Sequence, residues 1–423
     1  MKRDPLVLGE GCILSGDEIG KTRPNGNALI VGTGGCGKST SVVFPTLMLS
    51  EHSNPIISCA REREGYTIAR YLETKGYMVR MMNLNHPDKS TISFDPIQSV
   101  QGYEDIEALA ADVMDEAFGK EDNYEKAKAG QLLNSLIAAV LMAAEGILGT
   151  AVRVNMPAVL GFFDQLIPVE RENGHSVKTP LDSLFEQLEE AVRGCSAARE
   201  YRAWRSLPYE AASRIRDILA SALSTVFPES IRKMMAAKPR FHVKNFADSK
   251  EALIIIASPS DRSRQHYANL FYRDTVRQLL QYAAECPDGE LPREVRFIFD
   301  PFVCNAPIQG WAEDMGLFHS AGISAVMLLQ SDQQLEAVYK EEASRIRQNC
   351  AVYCYFPGGF DYKSCESISR CMGRSCEEMF YAPLNQVFIM QSGRRPVHIP
   401  RYSVPGSEEY EIYINISKTV SIR

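Results

Sequence analysis

The 423-residue chain has no excess of basic side chains: 46 Lys and Arg stand against 53 Asp and Glu, a formal net charge of −7. A uniformly basic surface is excluded, so any nucleic-acid contact has to come from a local patch. The 11 cysteines are odd in number and no two have CxxC spacing. That excludes a disulfide framework and the common zinc modules, and points to reduced thiols. Cys350, Cys354, Cys365, Cys371 and Cys376 crowd the C-terminal part without forming such a pattern. The 7 histidines are dispersed, none pairs at metal-ligand spacing, and no Ser-His-Asp order is readable. The opening MKRDPLVLGEG lacks the apolar core of a signal peptide. The longest uncharged helical stretch, LLNSLIAAVLMAA, ends before Glu145. It falls short of the about 20 residues a span needs, so a core helix and no membrane span are expected. There is no internal repeat and no low-complexity tract.

What is present is a change of period along the chain. In the first hundred residues the short apolar runs NALIVG, PIISC and YMVRMMNL alternate with helical patterns at Val42 to Leu49 and Tyr66 to Leu72. That alternation predicts a parallel sheet covered by helices. From about Tyr103 to Ala237 the helical period dominates, as in EDIEALAADVMDEAF and RIRDILASALSTVF. Strands return in ALIIIAS, VRFIF, ISAVMLL, AVYCYF and QVFIMQ. The expected architecture is one α/β domain, residues 1–100 and 238–423, interrupted by an all-α insertion at 101–237.

Between the first of these strands and the next helix lies GTGGCGKST, whose Gly32 to Ser39 fits G-x-x-x-x-G-K-[ST] in full. The motif wants a strand before it and a helix after it, and both are predicted. Gly34, Gly35 and Gly37 let backbone N–H groups turn towards phosphate oxygens, which a Cβ would obstruct. The helix that follows directs its dipole at the anion. Lys38 supplies charge to the β- and γ-phosphates, and Ser39 offers a hydroxyl to Mg²⁺. Gly32, Thr33, Cys36 and Thr40 complete the expected ATP-binding stretch. Cys36 replaces nothing essential, and its thiol is a candidate for alkylation or oxidation.

Such a site also needs a carboxylate at a strand end to orient the metal. Asp300 after VRFIF fits that role, although Asp-Pro is also a common turn opener. The next residue is Pro301, where many ATP-hydrolysing enzymes have a glutamate; proline has no side-chain proton acceptor to activate water. Glu313 and Asp314 are candidates to substitute as base.

With both motifs placed, the chain resembles the conjugative coupling proteins of type IV secretion, the TraG/TraD-like P-loop ATPases related to FtsK/HerA motors. The resemblance runs through DNYEKAKAGQLLNSLIAA, TPLDSLFEQLEE, VRFIFDPF, AGISAVMLLQSDQQLEAVY and NCAVYCYFPGGFDYKSCESISRCMG. It implies a RecA-like P-loop fold with an all-α insertion. It implies that Gln330 senses nucleotide state at a strand end; an ordinary polar strand-end residue is the alternative. It also implies a cytoplasmic location, peripheral at the inner face of the cell membrane, and a hexamer when active. The implied partners are DNA or a relaxase–DNA complex and the type IV secretion components.

The chain departs from the family pattern at several places. D-E-F becomes Asp300, Pro301, Phe302, and D-P-K-G-E becomes Cys59, Ala60, Arg61, Glu62, Arg63. His319 and Ala321 stand where arginines precede G-I-S, the segment after C-M-G is short, and no membrane-spanning helices open the chain. Retained binding motifs with lost hydrolytic ones leave two readings: a coupling-type ATPase that binds Mg-ATP and moves DNA, or a non-hydrolysing adaptor that recruits relaxosome or substrate protein through its all-α domain. Basic clusters at RSRQH, KPRFHVK and GRRPVHIPR could touch phosphate or be solvated loops. Tyr201 and Trp204, set among arginines, could stack on bases or belong to a helix-pair core.

Overall fold

The computed structural model describes residues 2–16, 25–121, 123–144, 153–168, 178–259, 261–302, 306–359, 361–404 and 406–420. The chain divides into two compact units, one of residues 1–92, 242–265 and 275–423, the other of 93–241 and 266–274.

The first unit is built on a sheet whose strands are the apolar runs of the sequence. A short antiparallel pair, β1 (Leu6–Gly9) and β2 (Cys12–Leu14), precedes it. The sheet holds nine strands: β3 (Ala28–Val31), β4 (Ser53–Cys59), β5 (Met78–Asn83), β6 (Glu251–Ile256), β7 (Glu294–Asp300), β8 (Ile323–Leu329), β9 (Val352–Tyr355), β10 (Gln386–Gln391) and β11 (Val397–Pro400). Their order is β11-β10-β9-β3-β8-β7-β4-β6-β5. From β9 to β5 every pairing is parallel; β10 and β11 add an antiparallel edge. The expected α/β class and mostly parallel sheet are what the chain adopts. β3, β6 and β8 are buried at every position, which is why they read as near-continuous apolar runs and not as alternations. The strands the sequence left unread, β1, β2 and β11, have 4, 3 and 4 residues, too short to show a period.

Two charged residues interrupt β7. Glu294 and Arg296 are each 1% exposed and paired at 3.0 Å. Ser324 donates to the same carboxylate at 2.6 Å, and Arg296 also donates to the carbonyls of Asp4 (2.7 Å) and Pro5 (3.0 Å). The pair therefore holds the N-terminal segment under the sheet.

The second unit contains helices and no named strand among the described residues. Tyr103–Phe118, Tyr124–Ala144 and Tyr209–Val226 bury Val113, Leu133, Ile137, Leu219 and Leu223. Helix Tyr124–Ala144 is long and apolar enough to cross a membrane, but 61% of its apolar window is buried inside the protein, as a core helix requires. Trp204 is 4% exposed and donates its indole N–H to the Ala212 carbonyl at 3.0 Å; Tyr201 stacks on Phe185 at 4.0 Å. Both rings belong to the helical core.

Candidate active site: a phosphate loop at the carboxyl ends of four strands

The central strand β3 ends at Val31, and the glycine-rich loop follows directly. The neighbouring parallel strands end level with it: Val31 pairs with Leu329 of β8, Phe299 of β7 with Met327, and Asp300 with Cys59 of β4. Gly32, Gln330, Asp300 and Cys59 therefore stand at four adjacent strand ends, the place where open α/β sheets bind ligands. Here a cleft of about 670 Å³ opens, with Gly34, Gly35, Gly37, Lys38, Ser39, Thr40, Asp300 and Gln330 on its walls.

Gly32, Thr33 and Cys36 of the expected nucleotide stretch do not line the cleft. Lys38 folds back onto the loop, donating to the carbonyls of Gly32 and Thr33, the latter at 2.9 Å, with Cys36 Sγ at 3.7 Å. Cys36 is 5% exposed, and burial pushes its thiol above the ordinary value, against the opposing pull of Lys38; the reactive thiolate is suppressed. Ser39 donates its hydroxyl to the Asp300 carboxylate. The Asp300–Pro301 peptide is cis. Helix Ser39–Met48 starts at this point, so its first turn faces the cleft.

Several lining residues carry no motif. Arg401, just after β11, donates to the Cys36 carbonyl at 2.7 Å. Its guanidinium lies where a Cβ on Gly37 would stand, and Gly37 has φ of +94°; only glycine meets both demands. Arg61 and Arg63 line the wall from the turn after β4, and Arg63 donates to the Ser417 carbonyl at 2.9 Å. Tyr413, on the helix Glu408–Thr419, packs its ring on Phe44 of the loop helix at 4.4 Å. The wall thus carries four cations, Lys38, Arg61, Arg63 and Arg401, and two carboxylates, Asp300 and Glu64.

Glu64 comes from the first turn of helix Glu62–Thr74. A Cβ on Gly65 would stand 2.8 Å from Ile256 Cδ1 and 3.0 Å from Cys59 Sγ, so glycine lets this turn sit against the strand ends. Burial first and the Asp300 carboxylate second push Glu64 up to about 7, and Arg61 opposes them. Gly65→Val should therefore cost about 1–3 kcal/mol by overpacking and move Glu64 off the wall. Thermal denaturation checks the first effect, and an unchanged melting temperature would contradict the close packing.

The donor set fits a magnesium nucleotide. A hydroxyl and a carboxylate are hard oxygen ligands suited to Mg²⁺, and the cationic wall suits a polyphosphate. Among the described residues no group of three or more His, Cys, Asp or Glu could hold a metal by itself, and the C-terminal cysteines form none.

Glu313 and Asp314, candidates to substitute for the lost glutamate, do not line the cleft; Glu313 pairs with Arg345 at 2.7 Å. His319 is remote too. It lies at the end of helix Trp311–Ala321, which leads into the start of β8, while the cleft is at that strand's other end. Seven residues of strand span roughly 20 Å, so an arginine at 319 could not reach this chain's own phosphates. Arg3 occupies that corner, bonded to His319 Nδ1 at 3.0 Å and to its carbonyl at 2.9 Å.

Of the basic clusters, GRRPVHIPR sends Arg401 to the cleft wall, and the other two are partly engaged within the fold. Arg240 lies 3.6 Å from Asp95 and donates to the Val154 carbonyl; Arg264 donates to the carbonyls of Leu84 and Asn85. Lys244 pairs with Glu285 at 3.4 Å. The Arg262 side chain lies outside the described residues.

A family model described as type IV secretory system conjugative DNA transfer matches residues 3–379. No curated protein sequence matches the chain. Among solved structures, the bacterial conjugative coupling protein TrwBdeltaN70 superposes with a TM-score of 0.65 at 15% identity, covering 94% of this chain and 88% of that one. The plasmid coupling protein TrwB in complex with the non-hydrolysable GTP analogue GDPNP gives 0.60 at 16%, covering 95% of each chain. TrwB has also been solved with ADP and Mg²⁺, with a TM-score of 0.59 at 16% identity, covering 89% of this chain and 85% of that one. VirB4 of Thermoanaerobacter pseudethanolicus gives 0.53 at 16%, covering 95% of this chain and 97% of that one. These neighbours share the fold, and the family match spans nearly the whole sequence: the chain belongs to the type IV secretory system conjugative DNA transfer family.

Proposed function

We propose that this chain is a coupling-type P-loop ATPase that binds Mg-ATP and helps to deliver DNA or a relaxase–DNA complex to a type IV secretion apparatus. The observation that carries the reading is the single cleft in which Lys38, the Ser39–Asp300 pair and three arginines converge. Lys38 is the residue to bind the β- and γ-phosphates, giving up its bonds to the loop carbonyls. Ser39 and Asp300 would hold Mg²⁺, which when bound neutralises phosphate charge. Gln330 faces the same space and reads the state of the terminal phosphate. Arg401 and Arg63 add positive charge to the wall that faces the polyphosphate. The solved nucleotide complexes of TrwB support the ligand class. Membership of the family supports DNA and secretion components as partners, and the resemblance to coupling proteins implies the cytoplasmic face of the inner membrane as the place of action and a hexamer as the working form. The helical unit is read as the all-α insertion of the nucleotide-binding domain.

A second reading is favoured by one residue. Pro301 removes the usual water activator, which suits an adaptor that binds nucleotide without turnover and recruits substrate through the helical unit. The test is ATP binding and steady-state hydrolysis on one sample, with and without DNA. DNA-stimulated turnover supports the ATPase; binding with no turnover above a Lys38→Ala blank supports the adaptor; no binding sinks both.

A further inference from the structure

We infer that Glu64 takes the place of the missing glutamate after Asp300 and is the general base that activates the attacking water. The inference rests on the ATPase reading above, and it stands on position. Cys59 is the register partner of Asp300, so the turn that leaves β4 runs alongside the metal-side carboxylate. Gly65 lets that turn close against Ile256 and Cys59, and the next side chain back, Glu64, enters the cleft. Among the described residues it is the wall's one carboxylate besides Asp300. Asp300 is committed to Ser39, whereas no described residue donates a hydrogen bond to Glu64. A carboxylate held in a cationic cleft without a donor has its lone pairs available for a water proton.

The step balances. The water oxygen bonds to the γ-phosphorus, and its proton passes to the Glu64 carboxylate. The bond from the γ-phosphorus to the bridging oxygen breaks, and ADP leaves with that electron pair. Glu64 then returns its proton to solvent. Proton transfer by a positioned side chain is worth about 10²–10⁴-fold in rate. An upward-shifted carboxyl is suited to that work at neutral pH. The charged and titratable groups around Glu64 are Asp300 on β7, Arg61 and Arg63 on its own turn, Lys38 on the loop, Arg401 after β11, Cys59 on β4 and Tyr413 on the last helix.

The variant is Glu64→Gln, read by affinity for a fluorescent ATP analogue with Mg²⁺, by turnover, and by melting temperature against pH. Binding within about threefold of the parent with turnover lower by about 100-fold or more is expected. The carboxyl is pushed up from 4.5 to about 7. Its ionisation therefore costs stability increasingly between those values, and the variant should out-melt the parent at pH 8 but not at pH 4. Turnover within threefold of the parent would overturn the assignment, as would a parent that binds nucleotide and never hydrolyses it. If neither protein binds Mg-ATP, the ATPase reading itself fails and takes the assignment with it.

Discussion

Lys38→Ala is expected to weaken Mg-ATP binding by about 100-fold and to abolish turnover. The ammonium is the wall's only lysine among the described residues, and it has to exchange two loop carbonyls for two phosphate groups. Charge-assisted hydrogen bonds contribute about 1.5–3 kcal/mol each, so losing both amounts to about 3 kcal/mol or more, a hundredfold in affinity. The fold should survive, because the bonds lost are to Gly32 and Thr33 of the same loop and to no other element. Isothermal titration with ATP and Mg²⁺ measures the first effect and thermal denaturation the second. A variant that binds nucleotide like its parent would remove the P-loop from any role in binding.

The largest effect on stability is expected from Arg296→Met. Its guanidinium is fully enclosed and neutralises Glu294, which has no route to water at 1% exposure. Breaking a buried pair from one side costs about 3–5 kcal/mol, because the other charge is left uncompensated. The same change also releases the carbonyls of Asp4 and Pro5. Adding Glu294→Leu to Arg296→Met should recover much of the loss, since a well-packed apolar pair is often as stable as the ionic one. Urea unfolding of the two variants decides it. A single-variant cost below about 1 kcal/mol would show that Ser324 and the Asp4 N–H satisfy Glu294 without the guanidinium.

Much of the active-site frame was legible because it is local. The loop Gly32–Ser39 carries its ligand chemistry in consecutive residues. Asp300 announces itself at the end of a buried strand, and the eight apolar runs read as strands are eight of the sheet's nine. The rest of the cleft was hidden because tertiary structure assembles it. Glu64 comes within reach of Asp300 only through the pairing of β4 with β7, whose residues lie far apart in sequence. One signal was available: a carboxylate and a glycine, Glu64-Gly65, in the first helical turn after a strand. Arg401 had a weak one, as the last residue of the basic run GRRPVHIPR, while Tyr413 had none, being an aromatic on a late helix. The departures at His319 and Ala321 concern the other end of the sheet. The residues before G-I-S precede β8, so they lie at the end of the sheet opposite the phosphates, and their loss says nothing about hydrolysis within this chain.

The strand order also governs how the molecule is made. β3, which ends in the phosphate loop, has hydrogen-bonded neighbours only in β8 and β9, and Val31 waits for Leu329 and Tyr355. Roughly 300 residues of chain must leave the ribosome first, which at about 5–20 residues per second means about 15–60 s. Throughout that interval Ala28–Val31, fully buried in the finished sheet, has both edges unsatisfied. The nucleotide loop is thus among the first segments synthesised and among the last to be fixed in place. Pairings so distant along the chain are slow to form and leave the nascent polypeptide open to aggregation. Low temperature and chaperone supply during expression should therefore govern the yield of soluble protein more than any property of the finished cleft.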